Sequence, residues 1–301
     1  MSRPVLSIQR TEFFVLIELD GTPFRHLKDV VFGVQAMSGS YVLEKCSILS
    51  MSGSVANDST EYIFDVKFSP SQSQSSASMS DQTIRVVDSE LNPLVTLTGH
   101  RSTIVGLAYV DETTLFSAAM SGETAPSAIG LWDTRAGSGP RQMLDVRGSE
   151  VASLALGIGN ALLAVAQGSS VVFYDPRKLG APLGKYSDCH TDDVTTVTFN
   201  PTSSNVLAST GEDGLICVFN CAVAAQDDAV VSIINTDGPV RKCGFFGPED
   251  QGLWSLSCTE QASFWHSTSA QRLLALPDVR DTMEVDYLNL NTTTITTTTL
   301  T

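Results

Sequence analysis

Cys189 is followed directly by His190, and a thiol beside an imidazole is the pairing from which nucleophilic catalysis is built. The pairing loses force on a strand, where adjacent side chains point to opposite faces. The other cysteines are Cys46, Cys217, Cys221, Cys243 and Cys258. None form a C-x-x-C pair, so they read as small reduced core residues rather than zinc ligands. Of the four histidines, His100, His190 and His266 fall at recurring positions and His26 does not. No spacing of Ser, His and Asp assembles a triad that the repeat does not already explain. The residues therefore predict a non-enzymatic protein with no metal and no cofactor. A second kind of chemistry is recognition. Trp132-Asp133-Thr134-Arg135 and Tyr174-Asp175-Pro176-Arg177 repeat an aromatic-Asp-x-Arg box. The planar fork of arginine bonds carboxylates and carbonyls bidentately, which suits an interface.

The elements that carry these residues recur. Short β-rich runs close at Asp88, Asp133, Asp175, Asn220 and His266, in steps of 45, 42, 45 and 46. A period in this range, closing on Trp-Asp or a like pair, marks the blades of a β-propeller. Phe68, Phe199 and Phe246 each start a Phe-x-Pro triplet, 20, 21 and 20 residues before a closing position. Each places an inward aromatic at a strand end before a proline that cannot continue a ladder. Asp213-Gly214 lies between two apolar runs and reads as a hairpin turn. The fold class predicted is all-β, a propeller with about five recognisable blades. The polar stretch 69–80 reads as an insertion where the second strand of the first blade belongs, which makes that blade the least regular.

With these motifs the chain resembles the WD40-repeat family, over roughly residues 41–288. The resemblance implies a structural set in each blade: a loop His, a strand Ser or Thr, a turn Asp and a strand Trp. His190, Ser209 and Asp213 match in the fourth unit, with Phe219 in the Trp place. His100, Ser117 and Trp132 match in the second, where Ser121 replaces the Asp. In the first unit only Asp81 matches, since Ala77 and Val87 hold the Ser and Trp places. The first, third and fifth units are expected to rely on packing alone. The resemblance also implies a protein-interaction scaffold. In WD40 proteins that recruit substrates to cullin-type ubiquitin ligases, boxes like those here resemble the contact for the ligase adaptor. Trp132, Asp133, Arg135, Tyr174, Asp175 and Arg177 are thus the candidate partner-binding residues. Pairing of Asp and Arg within the propeller is the competing reading. The functional alternatives are a structural subunit of a multiprotein assembly and a propeller hydrolase with a channel metal. The hydrolase lacks the inward clusters it needs.

Residues 1–40 carry no blade signature and read as an N-terminal extension. Their apolar run, 13–17, is shorter than the roughly 18 residues a membrane span needs, and a secretory cleavage region is absent. Residues 41–48 resemble the strand that closes a ring from its N-terminal end, and a weak extra blade over 1–50 is the competing reading. Residues 283–288 could open a sixth blade, and 289–301 form a low-complexity, threonine-rich tail. The ring is read as incomplete, short of two blades. Thirty-three acidic and 18 basic residues give a net charge of −15. Arg177-Lys178 and Arg241-Lys242 are the only adjacent basic pairs. This balance opposes nucleic-acid binding, which needs clustered positive charge. The expected partners are proteins, with no nucleic acid and no membrane, and the expected compartment is cytoplasmic or nuclear.

Overall fold

The structure is a computed structural model. It describes residues 62–247 and 250–277 in full, and the backbone of strands β1 (Phe13–Leu16), β2 (Asp29–Val34) and β3 (Cys46–Ser50). The proposed sixth-blade opening and threonine-rich tail lie outside the described residues.

Five four-stranded antiparallel meanders follow. The first comprises β4 (Ile63–Phe68), β5 (Gln74–Met79), β6 (Ile84–Asp88) and β7 (Pro93–Leu97). The second comprises β8 (Ile104–Tyr109), β9 (Thr114–Ala119), β10 (Ser127–Asp133) and β11 (Gln142–Val146). In the third are β12 (Val151–Gly157), β13 (Leu162–Gln167), β14 (Ser170–Tyr174) and β15 (Gly184–Tyr186). In the fourth are β16 (Val194–Phe199), β17 (Val206–Gly211), β18 (Leu215–Asn220) and β19 (Val230–Asn235), with the one-turn helix α1 (Gln226–Ala229) before β19. The fifth has β20 (Val240–Phe246), β21 (Gly252–Ser257), β22 (Ala262–His266) and β23 (Arg272–Leu276). Every closing run of the repeat is thus a third strand. Gly214 takes φ +76° in the turn between β17 and β18, the left-handed conformation that Asp-Gly was read to supply.

The core lies between blades. One cluster joins Phe116, Ile129 and Val146 of the second sheet to Leu154, Leu163 and Val172 of the third. Others join the third sheet to the fourth and the fourth to the fifth. A flat sheet could not bury both faces this way; stacked, twisted blades can. The first strands β4, β8, β12, β16 and β20 neighbour one another in chain order and line a common cavity.

Each first strand carries a one-residue bulge at the same register, before Asp65, Gly106, Ser153, Thr196 and Lys242. A bulge sharpens the twist and re-aims side chains. Three of these positions hold the next blade. Asp65 Oδ2 accepts the Leu107 N–H at 3.0 Å, and Ser153 Oγ accepts that of Val197 at 3.3 Å. Thr196 Oγ1 donates to the Arg241 carbonyl at 3.0 Å. At the other end of the first strands, turns are stitched from blade to blade. Ser71 donates its N–H to Glu112 at 2.7 Å, Asn160 reaches the Val110 carbonyl, Ile158 N–H reaches Ser204, and Asn200 and Thr202 bind Asp250.

Two expectations need correction. The polar run in the first blade is the second strand itself, not an insertion: all six residues of β5 are buried. Its hydroxyls find partners, Ser76 bonding the Tyr109 phenol and Ser78 Oγ accepting the Asp65 N–H at 2.9 Å. Small satisfied hydroxyls fill the space that apolar side chains fill elsewhere. Strand β3, which overlaps the supposed ring-closing segment, pairs with β2 in a three-stranded antiparallel sheet, β1-β2-β3.

Candidate functional site

The His-Ser-Asp set is built by three elements of the fourth blade. The loop before β16 carries His190, β17 carries Ser209 and the turn after β17 carries Asp213. His190 Nε2 lies 2.8 Å from Ser209 Oγ, and Nδ1 lies 3.1 Å from each Asp213 oxygen. The carboxylate also accepts the Thr191 and Leu215 N–H groups, both at 3.0 Å. Burial works against the Asp213 charge, but those backbone donors and the imidazole outweigh it, so its pKa lies below the ordinary value. Gly211 is required here, since a Cβ would come within 2.6 Å of Asp213 Oδ1 and 2.7 Å of His190 Nδ1.

In the second blade His100 Nε2 lies 2.6 Å from Ser117 Oγ, which accepts the Trp132 indole N–H at 2.7 Å. Ser121 does not replace the missing carboxylate: His100 Nδ1 is buried without a hydrogen-bond partner. Burial pushes the His100 pKa down to about 4. The fifth blade holds a pair that sequence reading missed. Trp265 Nε1 donates to Ser255 Oγ at 3.0 Å, so this blade does not rest on packing alone. The signal was present, because Ser255 precedes Trp265 by the ten residues that separate Ser209 from Phe219.

Cys189 and His190 do not form a catalytic couple. Both nitrogens of His190 face the Ser209–Asp213 set, and burial raises the Cys189 thiol to about 11. Among the described residues, no group of three or more His, Cys, Asp or Glu could hold a metal ion.

The two boxes occupy the turns after β10 and β14, equivalent positions in adjacent blades. Trp132 and Tyr174, grouped with the arginines from sequence, are buried. Trp132 is held by Ser117, and the Tyr174 hydroxyl accepts Gln167 Nε2 at 2.7 Å. These aromatics anchor the turns from inside, because their rings fill the interblade core. Asp133 and Asp175 are turn formers. Each accepts the N–H two residues on, at 3.0 and 2.9 Å, as Asp88 and Asn220 do at the same place. The arginines are what distinguish these two turns, for the matching residues are Glu90 and Ala222.

Arg135 is 71% and Arg177 is 80% exposed at the side chain. Each leans on its own aspartate. Arg135 Nε and Nη2 lie 3.1 Å from the two Asp133 oxygens, and Arg177 Nε lies 3.4 Å from Asp175 Oδ1. The Arg135 side chain holds the Asp133 pKa below its usual value, and the Arg177 N–H foremost does so for Asp175. The pairing expected as the competing reading is therefore present, but at the surface. The turns are joined, since Gln142 Nε2 donates to the Leu179 carbonyl at 2.6 Å and Leu179 is buried in the core between the second and third sheets.

Repeated closing strands, Asp-Gly hairpin, His-Ser-Trp and His-Ser-Asp sets on stacked four-stranded blades together define a propeller fold of the WD40 type. The family model described as "WD domain, G-beta repeat" matches residues 180–220, the fourth unit. Among particular relatives, the chain is 31% identical over 245 residues to the WD repeat-containing protein 89 homolog of Dictyostelium discoideum, covering 80% of this chain and 64% of that one. It is 30% identical over 170 residues to WD repeat-containing protein GTS1 of Arabidopsis thaliana, covering 56% and 43%. The chain thus spans less than two thirds of the length of these relatives. A solved structure, the crystal structure of mitotic checkpoint complex, contains a chain of the same fold. It aligns with a TM-score of 0.66 at 22% identity, over 84% of this chain and 73% of the other.

Proposed function

We propose that the protein is a non-catalytic interaction platform whose docking point is the Arg135–Arg177 face, and that its partner is the adaptor of a cullin-type ubiquitin ligase. The observation that carries this reading is the pair of exposed guanidinium groups on equivalent turns of neighbouring blades. The turns between first and second strands end on the same face as the turns between third and fourth, so the interblade stitches stiffen the surface from which the arginines project. A rigid, preorganised surface loses little entropy on binding. The internal aspartates pre-orient the forks and leave the arginine donors facing solvent free for partner carbonyls or carboxylates. The test is direct binding of the purified chain to the purified adaptor. Arg135→Ala with Arg177→Ala should weaken it at least about tenfold, the effect of one lost charge-assisted bond. Unchanged affinity rejects the docking point.

A second reading, a structural subunit of an assembly, draws on the fourth strands. Leu94, Val231, Ile233, Leu273 and Leu274 are exposed there. If those edges bind the partner, charged substitutions at Ile233 and Leu273 abolish complex formation and the arginine variant does not.

A further inference from the structure

The cations of this acidic chain are not spread evenly over the blades. Arg135, Arg141, Arg177, Lys178 and Lys185 belong to the third-to-fourth turns and fourth strands of blades two and three, and all are exposed. The matching places in the other blades hold no cation. Arg135 and Arg177 correspond to Glu90, Ala222 and Thr268. At the register of Lys185 stand Thr96, Met143, Ile233 and Ala275. Arg141 and Leu183 share one place, each donating its N–H at 2.7 Å to a third-strand carbonyl, that of Leu131 or Phe173. Leu94, Val231 and Leu273 hold that place elsewhere, as the extra residue of a bulge. Arg272, on the fourth strand of blade five, is taken up by Asp237 at 3.6 Å and by the Trp265 ring.

The patch is continuous, since the Gln142 bond to the Leu179 carbonyl ties its two turns together. Two cations surround each turn carboxylate. The Arg135 side chain foremost, and the Arg141 charge with it, holds the Asp133 pKa down; the Arg177 N–H foremost, and the Lys178 charge with it, does so for Asp175. At ion-pair distance these carboxylates hold Arg135 and Arg177. After Asp133, Arg135 also feels Asp111, which is engaged by the Thr113 and Thr114 N–H groups. Positive charge is therefore in excess here. Leu183, 62% exposed and two residues before Lys185, adds an aliphatic contact. The loops at the other ends of the blades carry exposed Asp81, Glu123, Glu150, Asp192, Glu212 and Asp237. Such an asymmetry steers an acidic partner to the arginine face and away from the opposite one.

Taking Arg135 and Arg177 as the docking point, we propose that the patch receives an extended acidic segment of the partner protein. Its carboxylates lie on Arg141, Lys178 and Lys185 as well as on the two arginines, and an aliphatic residue of the segment lies on Leu183. A protein segment is favoured over nucleic acid because the patch spans only two blades. Glu90, Asp227 and Asp228 flank it in the same turns of blades one and four, where a continuous phosphate backbone would be repelled.

The experiment is fluorescence anisotropy of a labelled peptide of alternating Glu and Gly with a central Leu, titrated with the full chain, beside adaptor binding by the same variants. Saturable binding is expected, weaker as salt rises. Arg141→Glu with Lys178→Glu should raise the Kd about tenfold or more, while Arg147→Glu, at the other end of the blades, should leave it unchanged. Replacing the central Leu by Ser should weaken binding about threefold. Absence of saturable binding, wild-type affinity in the double variant, or an equal loss in Arg147→Glu overturns the proposal. So does a single-stranded oligonucleotide of the same charge that binds more tightly at the same residues. Equal binding of the Leu and Ser peptides overturns the contact at Leu183. Adaptor binding lost in Arg135→Ala/Arg177→Ala yet unchanged in Arg141→Glu/Lys178→Glu rejects the acidic segment and leaves the docking point standing. Patch-dependent peptide binding by a chain that does not bind the adaptor upholds the acidic segment and rejects the adaptor.

Discussion

His190 and His100 occupy the same place in two blades and differ in how fully they are satisfied. His190 has a partner at each ring nitrogen; His100 has one at Nε2 alone. Removing Asp213 would strand His190 Nδ1 and the Thr191 and Leu215 N–H groups, so Asp213→Ala should cost about 1–3 kcal/mol, read as a lower melting temperature. For His100 the consequence is a pH dependence. Its folded pKa of about 4 lies below the ordinary value of 6.5, so between these values the unfolded chain binds more protons. Stability is therefore full above pH 6.5 and falls as pH drops toward 4, by on the order of 3 kcal/mol in total. Denaturant titrations across that window should show the slope, and His100→Gln should flatten it. An equal slope in the variant would place the lost stability elsewhere. Asp213 acts in a lower window: with its pKa depressed below 3.8, its contribution is present above that value and lost on further acidification.

At the scale of elements, the closing runs, the Phe-x-Pro ends and the Asp213-Gly214 turn were legible because each is a local pattern with a local cause. Strand β5 was not, since its burial rests on hydroxyls whose partners, Tyr109 and Asp65, lie on other strands. Hydropathy cannot see a polar residue that is satisfied. The Ser255–Trp265 bond was readable from spacing but hidden by the lack of a histidine in that blade. The box residues were found as a group, but sequence could not divide buried Trp132 and Tyr174 from exposed Arg135 and Arg177. A further elemental feature is the close approach of blades three and four. Gly157 ends β12 directly against the Phe199 ring, leaving no room for a Cβ. Gly157→Ala should destabilise by about 1–3 kcal/mol through overpacking. Phe199→Leu in the same background should recover part of that loss in chemical denaturation, and a simple sum of the two effects would argue against contact.

For the whole molecule, the elements that hold the fold and the proposed docking point lie in different places. The interblade cores and the histidine sets hold the blades, while the arginines project from turns whose aromatic anchors are already buried. No helix among the described residues is long and apolar enough to cross a membrane. Surface substitutions away from packed features typically change stability by within about ±0.5 kcal/mol, so the two arginines should be removable without harm to the fold. The most direct test is adaptor co-purification measured side by side for Arg135→Ala/Arg177→Ala and for Asp213→Ala, each with its melting temperature, below both transitions. The arginine variant should melt like the wild type and lose the adaptor, and Asp213→Ala should melt lower and keep it. Retention of the adaptor by the arginine variant, or its loss in Asp213→Ala while still folded, would contradict the assignment of recognition to the arginine face.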